Sequence, residues 1–173
     1  MKRYVMANRS DGVSDIVIED EVVADEAKWA KELWVNYETP ADLSKPGDAV
    51  AEQNMIHEPP DGGAVFRIVV FQPLSVRPLP SAEQILAYHR SIHSAHIPTL
   101  EYLRTAKNTT MHKTDTLNYF MLASGELWAL SEGRDVLLKP GDVMVQKGCM
   151  HGWENRSDKP AVLVAVLIDA LPA

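Results

Sequence analysis

At 173 residues the chain has the length of one domain, enough to bury a core without disulfides or a structural metal. Its formal charge of −7 argues against a nucleic-acid or anionic-membrane partner, either of which needs clustered Lys and Arg, and favours a small-molecule ligand. Cys149 is the only cysteine, which excludes an intrachain disulfide and a cysteine-rich zinc site and suits a reducing, cytoplasmic setting; no run of eighteen apolar residues or signal-length apolar stretch occurs.

Lys2–Ala7 and Ile16–Glu19 read as a hairpin around the turn-forming Asn8–Gly12 cluster. Ala24–Lys31 has the pattern of one or two helical turns, and Glu32–Tyr37 alternates like a strand with one buried face. Thr39–Pro60, with four prolines and no periodicity, reads as a long surface loop. Ala64–Phe71 is nearly continuous in β-branched and aromatic residues, as a central strand requires. Ser81 and Gln84 form a capping box, and Ile85, Tyr88, His89, Ile92 and His96 recur at helical spacing up to Pro98. Leu100–Ala106 suits a second short helix or a strand. Beyond Thr110, six short runs divided by turn residues predict an antiparallel sandwich or barrel: Met111–Leu122, Glu126–Ser131, Asp135–Leu138, Val143–Gln146, His151–Asn155 and Ala161–Ile168.

Two stretches carry the chemistry. In Met111–Gly125 the residues His112, Thr114, Thr116 and Asn118 fall at every second position and so share one face of an extended strand. In Lys139–Asn155 a turn leads to His151, with Trp153 in phase with it and suited to stack on a flat ligand. Converging imidazoles at His112 and His151 suit a divalent transition metal (Zn, Fe, Mn, Ni or Cu) provided that a third strong ligand joins them. Without one, they are two pocket histidines hydrogen-bonded to Thr114, Asn118 and water. Cys149, two residues before His151, is a soft ligand or thiolate in one reading and plain packing in the other. His89, His93 and His96 are spaced to share one side of a continuous helix, a separate chelating face or a packed one.

The spacing of both stretches resembles the two motifs of the cupin family. Gly141-(five)-Lys147-Gly148-(two)-His151-(three)-Asn155 is similar to the second motif, one residue short in its second turn and without its usual proline. His112, Thr114, Asn118 and Gly125 stand in register with H-x-H-(three)-E-(six)-G of the first. The resemblance implies a single-domain jelly-roll barrel over 1–173: N-terminal strands to about 75, a helical insertion at about 76–109, and the motif-bearing strands after 110. It places His112 and His151 on two of the family's four metal ligands, with Thr114 where the second histidine stands and Asn118 where the glutamate stands. The H-x-T-x-T variant and the W-x-N after His151 resemble a subgroup whose genes lie beside biosynthetic or degradative enzymes.

From this follows an expected metal-assisted oxidoreductase, lyase or isomerase acting on a carbonyl, carboxylate or aromatic metabolite. His112 and His151 would hold the metal, Asn118 would orient a water or substrate oxygen, and Thr114, Thr116 and Trp153 would line the ligand site. The insertion enters just before the first motif, placing its helix to cover the barrel mouth and lend a histidine, His96, to the pocket. Metal-free acid–base catalysis and a non-catalytic binding or sensing module are the alternatives, the latter suggested by the loss of two ligands. Unpaired edges of the N-terminal strands, together with the resemblance, imply a homodimer.

Overall fold

The computed structural model describes residues 1–23, 30–45, 47–50 and 56–172. The strands are β1 (Lys2–Asn8), β2 (Ser14–Glu21), β3 (Ala30–Asn36), β4 (Ala64–Phe71), β5 (Thr116–Ser124), β6 (Leu127–Ser131), β7 (Val136–Leu138), β8 (Val143–Lys147), β9 (His151–Glu154) and β10 (Ala161–Asp169). Helices α1 (Ala82–Ser91) and α2 (Leu100–Thr105) lie between β4 and β5. The helical turns expected at Ala24–Lys31 fall mostly outside the described residues, where Ala30 and Lys31 already belong to β3. Among the described residues no helix is long and apolar enough to cross a membrane.

All pairings are antiparallel. A five-stranded sheet in the order β3-β4-β10-β5-β8 faces a three-stranded sheet in the order β7-β6-β9, the two layers of a jelly roll, while β1 and β2 form a separate hairpin. The alternation in β10 explains its central place. Ala161, Leu163, Ala165 and Leu167 point into the space between the sheets and Val162, Val164 and Val166 point the other way. Phe120, Leu122, Leu127, Ala129 and Leu138 complete that core from both layers. The hairpin is tied to the body through Arg3, which bonds Asp20 and Asp48 and donates to the Leu33 carbonyl at 3.0 Å.

Two expected elements are shorter than their patterns suggest. The capping box opens α1 as read, with Ser81 Oγ accepting from Gln84 N–H at 3.2 Å and Gln84 Oε1 accepting from Ser81 N–H at 2.8 Å. The helix nevertheless ends at Ser91, and His93 adopts φ 52°, so His93 and His96 leave the helical face that His89 occupies. Likewise β5 begins at Thr116 rather than Met111. The segment before it crosses toward the other sheet, where His112 pairs with His151.

Gly125 turns β5 into β6 at φ 77°, a conformation that L side chains resist, and a Cβ there would lie 2.6 Å from the Pro160 carbonyl oxygen and 2.7 Å from Ala161 Cα. Both obstacles are backbone beside the central strand. Gly125→Ala is therefore expected to lower stability by about 2 kcal/mol or more, read as a thermal midpoint lower by roughly 4–8 °C in calorimetry.

Candidate functional site

A cavity of about 370 Å³ opens between the inner face of the five-stranded sheet, β9 and α1. Its apolar wall includes Phe71, Phe120, Trp153 and Leu163, with Trp153 edge-on to Phe120 at 5.1 Å between ring centroids. Four histidines line it: His57, His89, His112 and His151.

His112 and His151 are placed by backbone. Each donates its N–H to the other's carbonyl at 2.9 Å, a two-way antiparallel bridge that brings their ring centroids to 4.3 Å. Each ring then bonds back to the carbonyl two residues earlier, His112 Nδ1 to Thr110 at 2.8 Å and His151 Nδ1 to Cys149 at 3.0 Å. A carbonyl can only accept, so both Nδ1 atoms carry the proton and both Nε2 atoms keep a bare lone pair. Neither Nε2 has a hydrogen-bond partner among the described residues. Asn108, fully buried, fixes the approach to this bridge by donating to Glu154 Oε1 at 2.7 Å and accepting from Thr110 N–H at 2.6 Å. Asn155 plays the same part behind His151, donating to the carbonyls of Phe71 and Lys159 at 2.8 and 2.7 Å.

The other predicted residues divide. Thr114 lines the cavity but shares a 2.6 Å hydrogen bond with Thr116, which lies outside the lining. Asn118 lines it too. Its amide donates to Gln146 Oε1 at 2.8 Å, and its buried Oδ1 is without a partner among the described residues. Trp153 faces inward as expected, whereas Cys149 is exposed and contributes only its carbonyl. His96 is a correction: one-third exposed and paired with Asp115 at 2.8 Å, it does not line the cavity, because α1 has already ended. The histidine that the helix does present is His89.

Sequence reasoning missed His57 altogether. It sits in the proline-rich loop, with no periodicity to mark it, and arrives beside His112 (5.2 Å between ring centroids) and His89 (5.2 Å). Its Nδ1 lies 3.1 Å from Glu58 Oε1 and 3.1 Å from Ser94 Oγ, and Ser94 Oγ also meets His89 Nδ1 at 2.9 Å. The loop is held from below by a buried ion pair on adjoining strands. Arg67 Nη2 donates to the Ile56 carbonyl at 2.6 Å and Glu32 Oε1 accepts from Ile56 N–H at 3.2 Å. Burial raises the Glu32 carboxyl and lowers the Arg67 guanidinium, each countered by the other's charge.

A metal ion needs three or more strong donors drawn about one point, and among the described residues no group of His, Cys, Asp or Glu is so arranged. His112 and His151 come together as the spacing implied. Thr114 and Asn118, however, are turned to Thr116 and Gln146, while His57 and His89 place their Nδ1 atoms on one hydroxyl, with each Nε2 on the far side of its ring from Ser94. The donor set does not fit a bound metal.

The sequence is similar to those of fungal proteins. Phomopsin biosynthesis cluster protein C' of Diaporthe leptostromiformis is 29% identical over 140 residues, covering 78% of this chain and 57% of that protein. The cupin-domain-containing oxidoreductase srdB of Neurospora crassa is 29% identical over 119 residues, covering 64% of this chain and 60% of its own length. The chain is similar to cupin-domain proteins. It spans less than two thirds of the length of either relative, and no family model matches it. Among solved structures, a cupin 2 conserved barrel domain protein from Salinispora arenicola is 14% identical, with a TM-score of 0.42 over 87% of this chain and 89% of that one.

His89, His112 and His151 are buried as neutral groups. Burial pushes His151 down to about 4, only partly countered by the Cys149 carbonyl; burial and then His57 push His89 to about 4. His112 is driven well below its ordinary value by burial, by His151 and by His57. Unfolded, such rings titrate near 6.5, so between pH 6.5 and 4 the unfolded chain binds more protons than the native one. Stability is full above that window and falls as pH drops through it, by on the order of 3 kcal/mol for His151 at the lower end. Urea titrations from pH 7 to pH 4 are expected to show the fall, and His151→Phe to flatten it; an unchanged slope would place His151 outside the effect.

Proposed function

We propose that this protein is an enzyme acting on a small, flat organic molecule with a carbonyl, carboxyl or phenolic group, bound in the barrel cavity, and that its chemistry is proton transfer. The carrying observation is the pair of bare Nε2 lone pairs on His112 and His151, fixed by backbone bonds at the polar end of an aromatic-walled cavity. A cavity of about 370 Å³ suits a one- or two-ring ligand. His112, His151 and the unpartnered Asn118 Oδ1 are all acceptors, so they select hydroxyl or amine donors on the ligand, and Trp153 offers a face for its ring. Proton removal next to a carbonyl opens isomerase, lyase and oxidoreductase reactions alike. The name of the Neurospora relative lends support to an enzymatic rather than a sensing role. Among the described residues no third donor is drawn to the point where His112 and His151 meet, and the reaction proposed runs without a metal.

Hydroxylated aromatic ketones and acids are expected to quench Trp153 fluorescence on binding, with the signal absent in Trp153→Phe. His112→Ala and His151→Ala should each weaken binding about tenfold, the worth of one good hydrogen bond in a dry site, and treatment with a chelator should leave the affinity unchanged. Binding untouched by both histidine variants would move the ligand site elsewhere; loss on chelation would restore the metal.

The chain's second copy is the proposed partner. The β1–β2 hairpin forms a sheet of its own and leaves Tyr4, Met6, Ile16 and Val17 exposed, a surface that a symmetric neighbour would cover. Sedimentation is expected to give twice the 19.2 kDa chain mass, and Met6→Lys to give the monomer.

A further inference from the structure

We infer that His57, positioned by Glu58, is the group that takes the proton from the bound molecule, while His112, His151 and His89 hold that molecule as neutral imidazoles. The inference rests on the proposed proton-transfer reading and divides its labour among four rings that line one cavity.

What stands behind each ring distinguishes them. The Nδ1 atoms of His112 and His151 face backbone carbonyls, which orient a ring but bring no net charge. His89 Nδ1 faces the Ser94 hydroxyl. Only His57, among these four, has a carboxylate at its Nδ1, Glu58 Oε1 at 3.1 Å. Burial pushes the Glu58 carboxyl up, yet its bond to His57, the attraction of that ring when it is protonated and the backbone N–H of Ala95, bonded at 3.2 Å, leave it lower than usual and ionised. An imidazolium formed at His57 therefore lies against a fixed negative charge, as in carboxylate–histidine pairs that serve as general bases. A positive charge on His112 or His151 would have no carboxylate beside it, since the Glu32 carboxylate is already paired with Arg67, and at His89 the pull of Glu58 is outweighed by burial and by His57.

The tautomers follow from the same contacts. Ionised Glu58 accepts only, so His57 Nδ1 holds a proton toward it and Nε2 keeps a lone pair. The Ser94 hydroxyl proton then has His89 Nδ1 as its acceptor, and His89 carries its own proton on Nε2. The set is thus a base at His57 beside a donor at His89, their ring centroids 5.2 Å apart. In the step, a C–H bond next to a carbonyl breaks and its proton goes to His57 Nε2. The electron pair moves onto the carbonyl oxygen, which accepts from His89 Nε2–H, and the proton returns from His57 to the same or the conjugated carbon.

The charged and titratable groups around His57 are Glu58 on its own loop, His89 on α1, His112 before β5, His151 on β9 and Arg67 on β4. The probe is 5-nitrobenzisoxazole, a flat molecule whose ring opens when a base removes its C–H: the electron pair forms the nitrile, the N–O bond breaks, and the oxygen becomes the phenolate of a single coloured cyanophenolate product. The whole chain is expected to open it faster than buffer. His57→Gln should lower kcat about tenfold or more with KM within about twofold. Glu58→Gln should lower kcat with KM likewise little changed, because the imidazolium formed in the step loses its counter-charge, and Glu58→Asp should recover part of the loss. Equal kcat in His57→Gln, or in Glu58→Gln with an unchanged melting midpoint, overturns the assignment. A probe that binds, by Trp153 quenching, without reacting overturns it as well and leaves the cavity reading standing; a probe that does not bind at all removes both.

Discussion

The reciprocal backbone pair between His112 and His151 is the constraint on which the site depends. It joins the segment before β5, which belongs to the five-stranded layer, to β9 of the three-stranded layer, so the two motif histidines sit where the layers meet. Because the bridge is made of main chain, the rings need no other side chain to find one another. Each then folds its Nδ1 onto the carbonyl two residues back, the same local solution on both strands. Packing beneath the bridge is close. A Cβ on Gly152 would meet Met111 Sδ at 3.0 Å, which explains a glycine between His151 and Trp153.

Charge within the cavity is kept to a few paired groups. Arg67 and Glu32 stand opposite one another in the β3–β4 register, both buried, and their free polar atoms clasp the backbone of Ile56 from either side. A buried ion pair adds little net stability by itself, since desolvation offsets most of its attraction. Its use here is positional. It fixes the residue before His57, in a loop that forms no strand or helix among the described residues, and so converts a stretch without regular structure into one that can aim an imidazole.

This also explains which parts of the molecule were legible in the sequence. Strand alternation from Ala64 onward, the Ser81 capping box and the motif spacing depend on neighbours within a few residues, and the architecture follows them closely. The fate of Asn118 depends instead on register: it faces Gln146 across the β5–β8 pair, and nothing in its own strand announces that partner. His89, His93 and His96 looked equivalent on a helical wheel until the helix stopped at Ser91, which turned one toward the cavity and sent another to Asp115. His57 carries no local signal at all. Apart from Glu58 next to it, its meaning comes from contacts with His89, Ser94 and His112, far along the chain, made possible by an ion pair on two other strands.

The two halves of the cavity therefore have different origins. The barrel supplies flat apolar walls and two neutral acceptors fixed by main chain; the loop at 56–58 and helix α1 supply the carboxylate-backed ring and its neighbour. Ser94 is where the second half is fastened, one hydroxyl shared by an imidazole from the loop and an imidazole from the helix. A shift of α1 away from the barrel would carry Ser94 with it, since the Ser94 N–H is bonded to the His89 carbonyl at 3.0 Å, and would take from His57 its contact with Ser94 while moving His89 away from the ligand. The helix thus positions His89 and the Ser94 contact of His57 together, and the reactive groups proposed for the cavity come from segments outside the barrel strands.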